Sequence, residues 1–361
     1  MAPGLAYGLV WAGFLAYLGV LASAPRLGRG VVWGLILVFV VAFAVSPVLL
    51  SHDVWSYVDY ARLGVRHGLD PYVARPDSVP SDPAFAHVTW TDARSVYGPL
   101  FTLATYPLAW LSVGAAVAVL KAVAALSVLG LAVVVARIGA WRGLDPLRSA
   151  AFVALNPLVL VHVVGGAHND GLTMLLATLG VAAVLLRREA AGGAALLAAV
   201  AVKASAGFIA PFALVGGERR SRLLGGAAAA ALLIGVAAYL GFGWDWLRAI
   251  GLAGENQGRT SHMAIPTTFA RLTDLDHDSA RVGALVLYAA ALVYLLVWTA
   301  RGGDWVRAAA WAGFGLLLAT SWLLPWYLIW ALPLVAVSRD RTLQLLTLAL
   351  TAEQLGARIP L

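Results

Sequence analysis

Four short constellations in this chain carry groups able to move a proton, hold an anion or bind hydroxyls. The first is Ser51-His52-Asp53-Val54-Trp55-Ser56-Tyr57. A carboxylate in a partly dry cleft can take the proton of an attacking hydroxyl, which makes Asp53 a candidate general base. The same residue is a candidate N-cap for a helix over 54–67 that Gly68 would end. The second is Gly165-Gly166-Ala167-His168-Asn169-Asp170-Gly171. The glycines alone would make a plain turn between helices. His168, Asn169 and Asp170 in succession at membrane depth are costly, and such residues mark a site. They suit sugar hydroxyls or a phosphate. The third is Lys203 in Ala201-Val202-Lys203-Ala204-Ser205. A lone lysine in an apolar helix either snorkels or holds an anion, and a compact ammonium suits a phosphate. The fourth is Glu255-Asn256-Gln257-Gly258-Arg259-Thr260-Ser261-His262, where Arg259 and His262 offer a second phosphate contact or a hold on the acceptor. An ordinary solvated loop is the alternative there.

Other residues weigh less. Asp59 is expected to pair with Arg62 on its own helix face. Lys121 reads as structural. The Asp274-Leu275-Asp276-His277-Asp278 run has metal-like composition but reads as a solvated loop, and no metal or cofactor is called for. Tyr57, Tyr72 and Tyr97 offer ring faces to a sugar. Most of Trp90, Trp244, Trp246, Trp322 and Trp326 are expected to anchor the chain at membrane interfaces.

These groups need a scaffold, and the composition says which kind. The chain has 361 residues, 61% hydrophobic and 12% charged, with a mean hydropathy of +0.84. A soluble domain is nearer half apolar and a quarter charged, so a water-soluble globular enzyme and a disordered protein are both excluded. With no cysteine, disulfides and thiolate chemistry are excluded too. The expected fold is all-α: a polytopic transmembrane helical bundle in one domain, residues 1–361. Candidate spans are 5–23, 31–50, 115–137, 149–165, 170–186, 222–242, 281–299 and 305–322. Residues 191–217 read as two short helices turning at Lys203, and 326–337 with 342–357 as a similar pair. That gives about twelve membrane helices. Residues 99–111 read as a re-entrant or interfacial piece, and the helix over 54–67 as lying along the interface.

Arginine placement orients the bundle. With loop 51–98 outside, the inner turns hold Arg26 and Arg29, Arg137, Arg142 and Arg148, Arg187 and Arg188, Arg219, Arg220 and Arg222, Arg301 and Arg307, and Arg339 and Arg341. The N-terminus is then external, and 5–23 lacks the basic start of a cleavable signal. All four constellations meet on the external face, with loops 51–98 and 243–280 forming it and Leu324-Pro325-Trp326-Tyr327 joining them.

The order of these pieces resembles a family. Asp53–Tyr57, Gly68–Tyr72, Tyr97–Leu100, Asn156–Leu158, Gly165–Asp170, Lys203 and Pro325–Tyr327 look like motifs of the integral-membrane GT-C glycosyltransferases. The most similar group is the actinobacterial polyprenol-phosphate-mannose-dependent alpha-1,6-mannosyltransferases. The resemblance implies a sugar, mannose, carried on a polyprenyl phosphate and used on the extracytoplasmic side of the plasma membrane. It implies a glycolipid or glycan acceptor, an external-loop aspartate matching Asp53 as base, and inversion at the anomeric carbon. Membrane lipids are the other expected partners, and nucleic acid is not one. The competing reading is a lipid-linked-sugar flippase or transporter, in which an intramembrane lysine and polar turns also occur. No inverted repeat supports it, and its polar groups would need access to both faces.

Overall fold

A computed structural model describes residues 3–256 and 258–357, and these are helical with no strand among them. Gln257 of the fourth constellation lies outside the described residues. The chain opens with a long helical run, α1 (Pro3–Val45), where two spans were expected. The division between them survives at Gly28, whose φ of 77° and ψ of 165° leave helical space. Glycine adopts that backbone at little cost, so the apolar run is broken there and not by a polar loop. There follow α2 (Asp53–His67), α3 (Pro99–Thr105), α4 (Val113–Trp141), α5 (Pro146–Ala154), α6 (Asp170–Leu185), α7 (Glu189–Val202) and α8 (Ala210–Gly216). The second half holds α9 (Arg220–Phe242), α10 (Arg248–Asn256), α11 (Ile265–Thr273), α12 (His277–Ala300), α13 (Trp305–Ala319), α14 (Leu332–Val337) and α15 (Arg341–Ala357).

Against the expected dozen, four helices among the described residues are long and apolar enough to cross a membrane by themselves: Gly8–Val45, α4, α9 and α12. A fifth span arises if α5 and the wide-turned helix Val159–Gly165, bent by 63°, are taken together. Five shorter apolar helices complete the set, among them α6, α7 and α13. The short ones are sheltered by protein, which is where interrupted helices are tolerated at membrane depth. Residues 99–111 give α3 and the tight helix Tyr106–Trp110, too short together to cross. The bend at Asn156 is structural. Its Oδ1 accepts from Leu158 N at 3.0 Å, and its Nδ2 donates to Thr351 Oγ1 at 3.2 Å.

Two sets of contacts set the frame around the site. At one end, Lys121 on α4 sends its ammonium to Ser46 O, to Pro47 O at 3.0 Å and to Ser46 Oγ at 3.3 Å. These carbonyls lie where α1 has ended, and a buried carbonyl without a donor would cost roughly 1–3 kcal/mol. Lys121 is therefore structural, as expected. At the other end, Arg142 pairs with Asp304 and donates to Val337 O at 2.7 Å, while Arg307 and Trp311 both donate to Asp340, at 2.8 and 2.9 Å. The arginines expected to set topology thus also clamp α4, α13 and the turn after α14.

The expected pairing of Asp59 with Arg62 is not what forms. Arg62 Nε donates to Asp82 at 2.8 Å, and Asp82 also meets His67 Nε2 at 2.7 Å and the amide of Ala84 at 2.9 Å. Asp82 collects three donors on its two oxygens, from Arg62, His67 and the Ala84 amide, which satisfies the carboxylate that Arg62 faces. Asp59 is left buried beside it, and burial, then the Asp82 charge, pushes its carboxyl up to about 7.

Candidate active site

Asp53 occupies the first turn of α2, but it does not cap that helix. The cap position is His52, without a side-chain bond. The Asp53 carboxyl turns instead into a cavity of about 280 Å³. Its Oδ1 accepts from Trp90 Nε1 at 3.2 Å, and its Oδ2 lies 3.6 Å from His168 Nδ1. Burial pushes this carboxyl above its ordinary range, opposed in part by the Lys203 charge and the Trp90 hydrogen bond.

Lys203 reaches the same cavity from the far side of the sequence. It stands between α7 and the tight helix Ala204–Ile209, in extended backbone with φ −155°. Its Nζ donates to both oxygens of Asp170, at 2.8 and 2.9 Å, and lies over the rings of Tyr327 and Trp330. Trp330 Nε1 donates to Asp170 Oδ1 at 2.6 Å. Asp170 is fully buried, so it is the anchor of Lys203 and not a wall of the cavity. An ammonium has three N–H donors, and two are spent on Asp170, which leaves one for the cavity.

The turn carrying His168, Asn169 and Asp170 is folded around these two groups. Val159–Gly165 ends in Ala167 with φ 56°, His168 N donates to Val163 O at 3.0 Å, and Leu49 N donates to Gly165 O at 3.2 Å. The turn is thereby tied to the segment leading into Asp53. His168 is buried, stacked on Trp326 with centroids 3.9 Å apart, and sits 4.0 Å from Asp170 Oδ2 as well as 3.6 Å from Asp53. Its Nδ1 thus stands between the Asp53 and Asp170 carboxylates, beyond hydrogen-bond distance of either. Asn169 is buried with both amide atoms unpartnered among the described residues. None of the three lines the cavity.

The cavity wall comes from five stretches of chain, Lys203 being one of them. Asp53, Ser56 and Tyr60 come from the start of α2, and Trp90, Arg94 and Tyr97 from the segment between α2 and α3. Arg259 comes from the second loop, and Trp322, Trp326 and Tyr327 from the segment after α13. Ser56 Oγ has no partner among the described residues. Arg259 lies over Trp90 and Trp322, 4.8 and 5.2 Å from their ring centres. Among the described lining residues Lys203, Arg94 and Arg259 are cationic and Asp53 is the one carboxylate, so the cavity is set for an anion.

Several expected contacts lie elsewhere. His262 borders a separate pocket with Thr260, Arg271 and Asp274. Tyr72 is fully buried and its hydroxyl bonds with Tyr97 O and Thr102 Oγ1, both at 2.9 Å. Tyr57 is buried edge-on against Tyr97 and Phe101, and of the three tyrosines only Tyr97 reaches the cavity. Asp276 caps α12 through Ser279 N at 2.8 Å. Sequence reasoning missed the tryptophans: Trp90, Trp322 and Trp326 line the cavity, while Trp244 alone of the expected anchors is 69% exposed. The signal available was their position beside Pro325 and within the first loop.

Gly98 closes the construction. Its amide donates to Val202 O at 3.0 Å, and a Cβ there would stand 2.1 Å from Ala201 O. Only glycine lets the first loop touch the end of α7 just before Lys203. Gly98→Ala is expected to displace that end, lowering stability by about 1–3 kcal/mol and turnover by up to about 10²-fold. Thermal unfolding and a transfer assay on the purified variant read both.

Comparison with known proteins bears on what this site serves. A family model described as alpha-(1->6)-mannopyranosyltransferase, N-terminal domain, matches residues 3–216, the stretch holding Asp53, the 165–170 turn and Lys203. An alpha-(1->6)-mannopyranosyltransferase A of Mycobacterium tuberculosis is 31% identical over 324 residues, 79% of this chain and 61% of that protein. A protein of the same name from Corynebacterium glutamicum is 29% identical over 171 residues, 46% of this chain and 34% of its own length. The chain therefore spans about three fifths of the first relative and about a third of the second. No solved structure matches it. On the match to residues 3–216, this membrane-helical chain belongs to the alpha-(1->6)-mannopyranosyltransferase family.

Proposed function

We propose that the chain transfers mannose from a polyprenyl-phosphate donor to a glycolipid or glycan acceptor at the extracytoplasmic face of the plasma membrane, with inversion at the anomeric carbon. The observation that carries this reading is the sharing of one cavity by Asp53 and Lys203, a base and a cation far apart in sequence. In the step, the acceptor hydroxyl gives its proton to the Asp53 carboxylate while its oxygen forms a bond to C1 of the sugar. The bond from C1 to the phosphate oxygen breaks, and its electron pair leaves with the polyprenyl phosphate. Negative charge grows on that phosphate as the bond lengthens. Lys203, Arg94 and Arg259 face it, and fixed cations aimed at developing charge favour the transition state over the ground state. Attack opposite the leaving group inverts C1. Asp170 acts one layer behind, orienting Lys203 through two hydrogen bonds.

Supplying the purified protein in liposomes with a mannosyl-phosphoryl polyprenol, and separately with a nucleotide-linked mannose, tests the donor class. Transfer is expected from the lipid-linked sugar alone. Transfer from the nucleotide sugar with the lipid donor inert overturns the proposal.

A further inference from the structure

A second, larger concavity lies at the other end of the bundle. It encloses about 770 Å³ between the second half of α1, the end of α4 and the start of α5. Trp33, Val133, Ala136 and Leu147 give it apolar walls, and Arg29 and Arg137 are its charged lining residues, with no acid among them. Neither guanidinium has an ion pair or hydrogen bond among the described residues. Lys121 joins α4 to the end of α1 near Asp53. From that junction, Val45 back to Arg29 and Lys121 on to Arg137 each rise about 24 Å along their helices. Both arginines therefore reach the same level, most of a roughly 30 Å hydrocarbon core away from the active site.

Such a cleft has two demands. Its guanidiniums want an anion with several acceptor oxygens, which phosphate supplies with matching geometry. Its walls want hydrocarbon, which a water-soluble anion does not bring. Basic pockets between membrane helices at headgroup depth satisfy both with one molecule. We propose that this cleft holds an anionic phospholipid of the leaflet opposite the active site, its phosphate at Arg29 and Arg137 and an acyl chain along Trp33, Val133 and Ala136. The site is independent of the transferase reading.

Native mass spectrometry of the full chain, purified in detergent with equal phosphatidylglycerol and phosphatidylcholine, tests it. The wild type is expected to retain phosphatidylglycerol in preference. Arg29→Gln and Arg137→Gln are each expected to lower that preference about fivefold, and the double variant roughly thirtyfold. Both side chains are exposed and outside the catalytic cavity, so unfolding temperature and transfer rate stay as in the wild type. Equal retention of the two lipids, an unchanged preference in the double variant, or displacement of the lipid by excess inorganic phosphate overturns the proposal.

Discussion

Asp53→Asn is expected to abolish most transfer, by about 10²–10⁴-fold in turnover, in a protein that still folds and inserts. Asparagine has the same shape and keeps an oxygen for the Trp90 indole, which donates at 3.2 Å. Its neutral amide is far too weak a base to take the proton. The substitution also removes a charge from a site where burial disfavours it, so stability is expected to hold or rise. The wild-type pH profile carries the same information. Only the ionised carboxylate is a base, and burial raises the pH at which Asp53 ionises. Turnover is expected to rise with pH through that raised value and to fall below it, placing the acid limb above the ordinary carboxylate range. Residual activity of the asparagine variant lacks that limb. Near-wild-type turnover in the variant removes Asp53 from the reaction.

The second large effect concerns the pair behind the cavity. Lys203→Met deletes the cation and leaves Asp170, fully buried, with the Trp330 indole still donating to it. Breaking a buried pair from one side costs about 3–5 kcal/mol, since the surviving charge has neither water nor partner. The single variant is therefore expected to melt well below the wild type. Adding Asp170→Leu removes the stranded carboxylate and is expected to recover much of the loss, because apolar replacement of a whole buried pair is often neutral. On the proposed mechanism recovery does not extend to function, since the double variant still lacks the Lys203 ammonium in the cavity. Thermal unfolding separates the structural cost, and donor affinity on the refolded background isolates the chemical one. A single variant as stable as the wild type argues against the pair, and wild-type donor affinity in the double variant argues against Lys203 as an anion contact.

What the residues told in advance follows from how far each relied on distant partners. Helices were legible because hydrophobic length and glycine placement are local, as with Gly68 ending α2 in a left-handed conformation. The break at Lys203 was legible for the same reason. That Lys203 and Asp53 offer an ammonium and a carboxylate was visible in their residue types, and their sharing of one cavity was not. Nor were their immediate neighbours. Asp170 was read as touching substrate because its partner lies 33 residues away, and the ion pair that buries it exists only once α6 and α7 are packed. Trp90 was read as an interface anchor because its bond to Asp53 crosses 37 residues of irregular loop. Tyr72 looked like a stacking platform until Thr102 and the Tyr97 carbonyl claimed its hydroxyl.

The Lys121 ammonium at Ser46 and Pro47, with the Leu49–Gly165 bond, makes the two sides of the cavity mechanically unlike. The segment leading to Asp53 is tied to α4 by the part-buried, charge-assisted bonds of Lys121 and to the 165–170 turn by a backbone bond. The opposing side at Arg259 is held by a guanidinium resting on two indoles, a contact worth about 0.5–1 kcal/mol at an exposed position. The Arg259 side chain is therefore the least firmly held part of the wall, while the chain behind it is tied by the Ser261 N bond to Ser321 O at 2.9 Å.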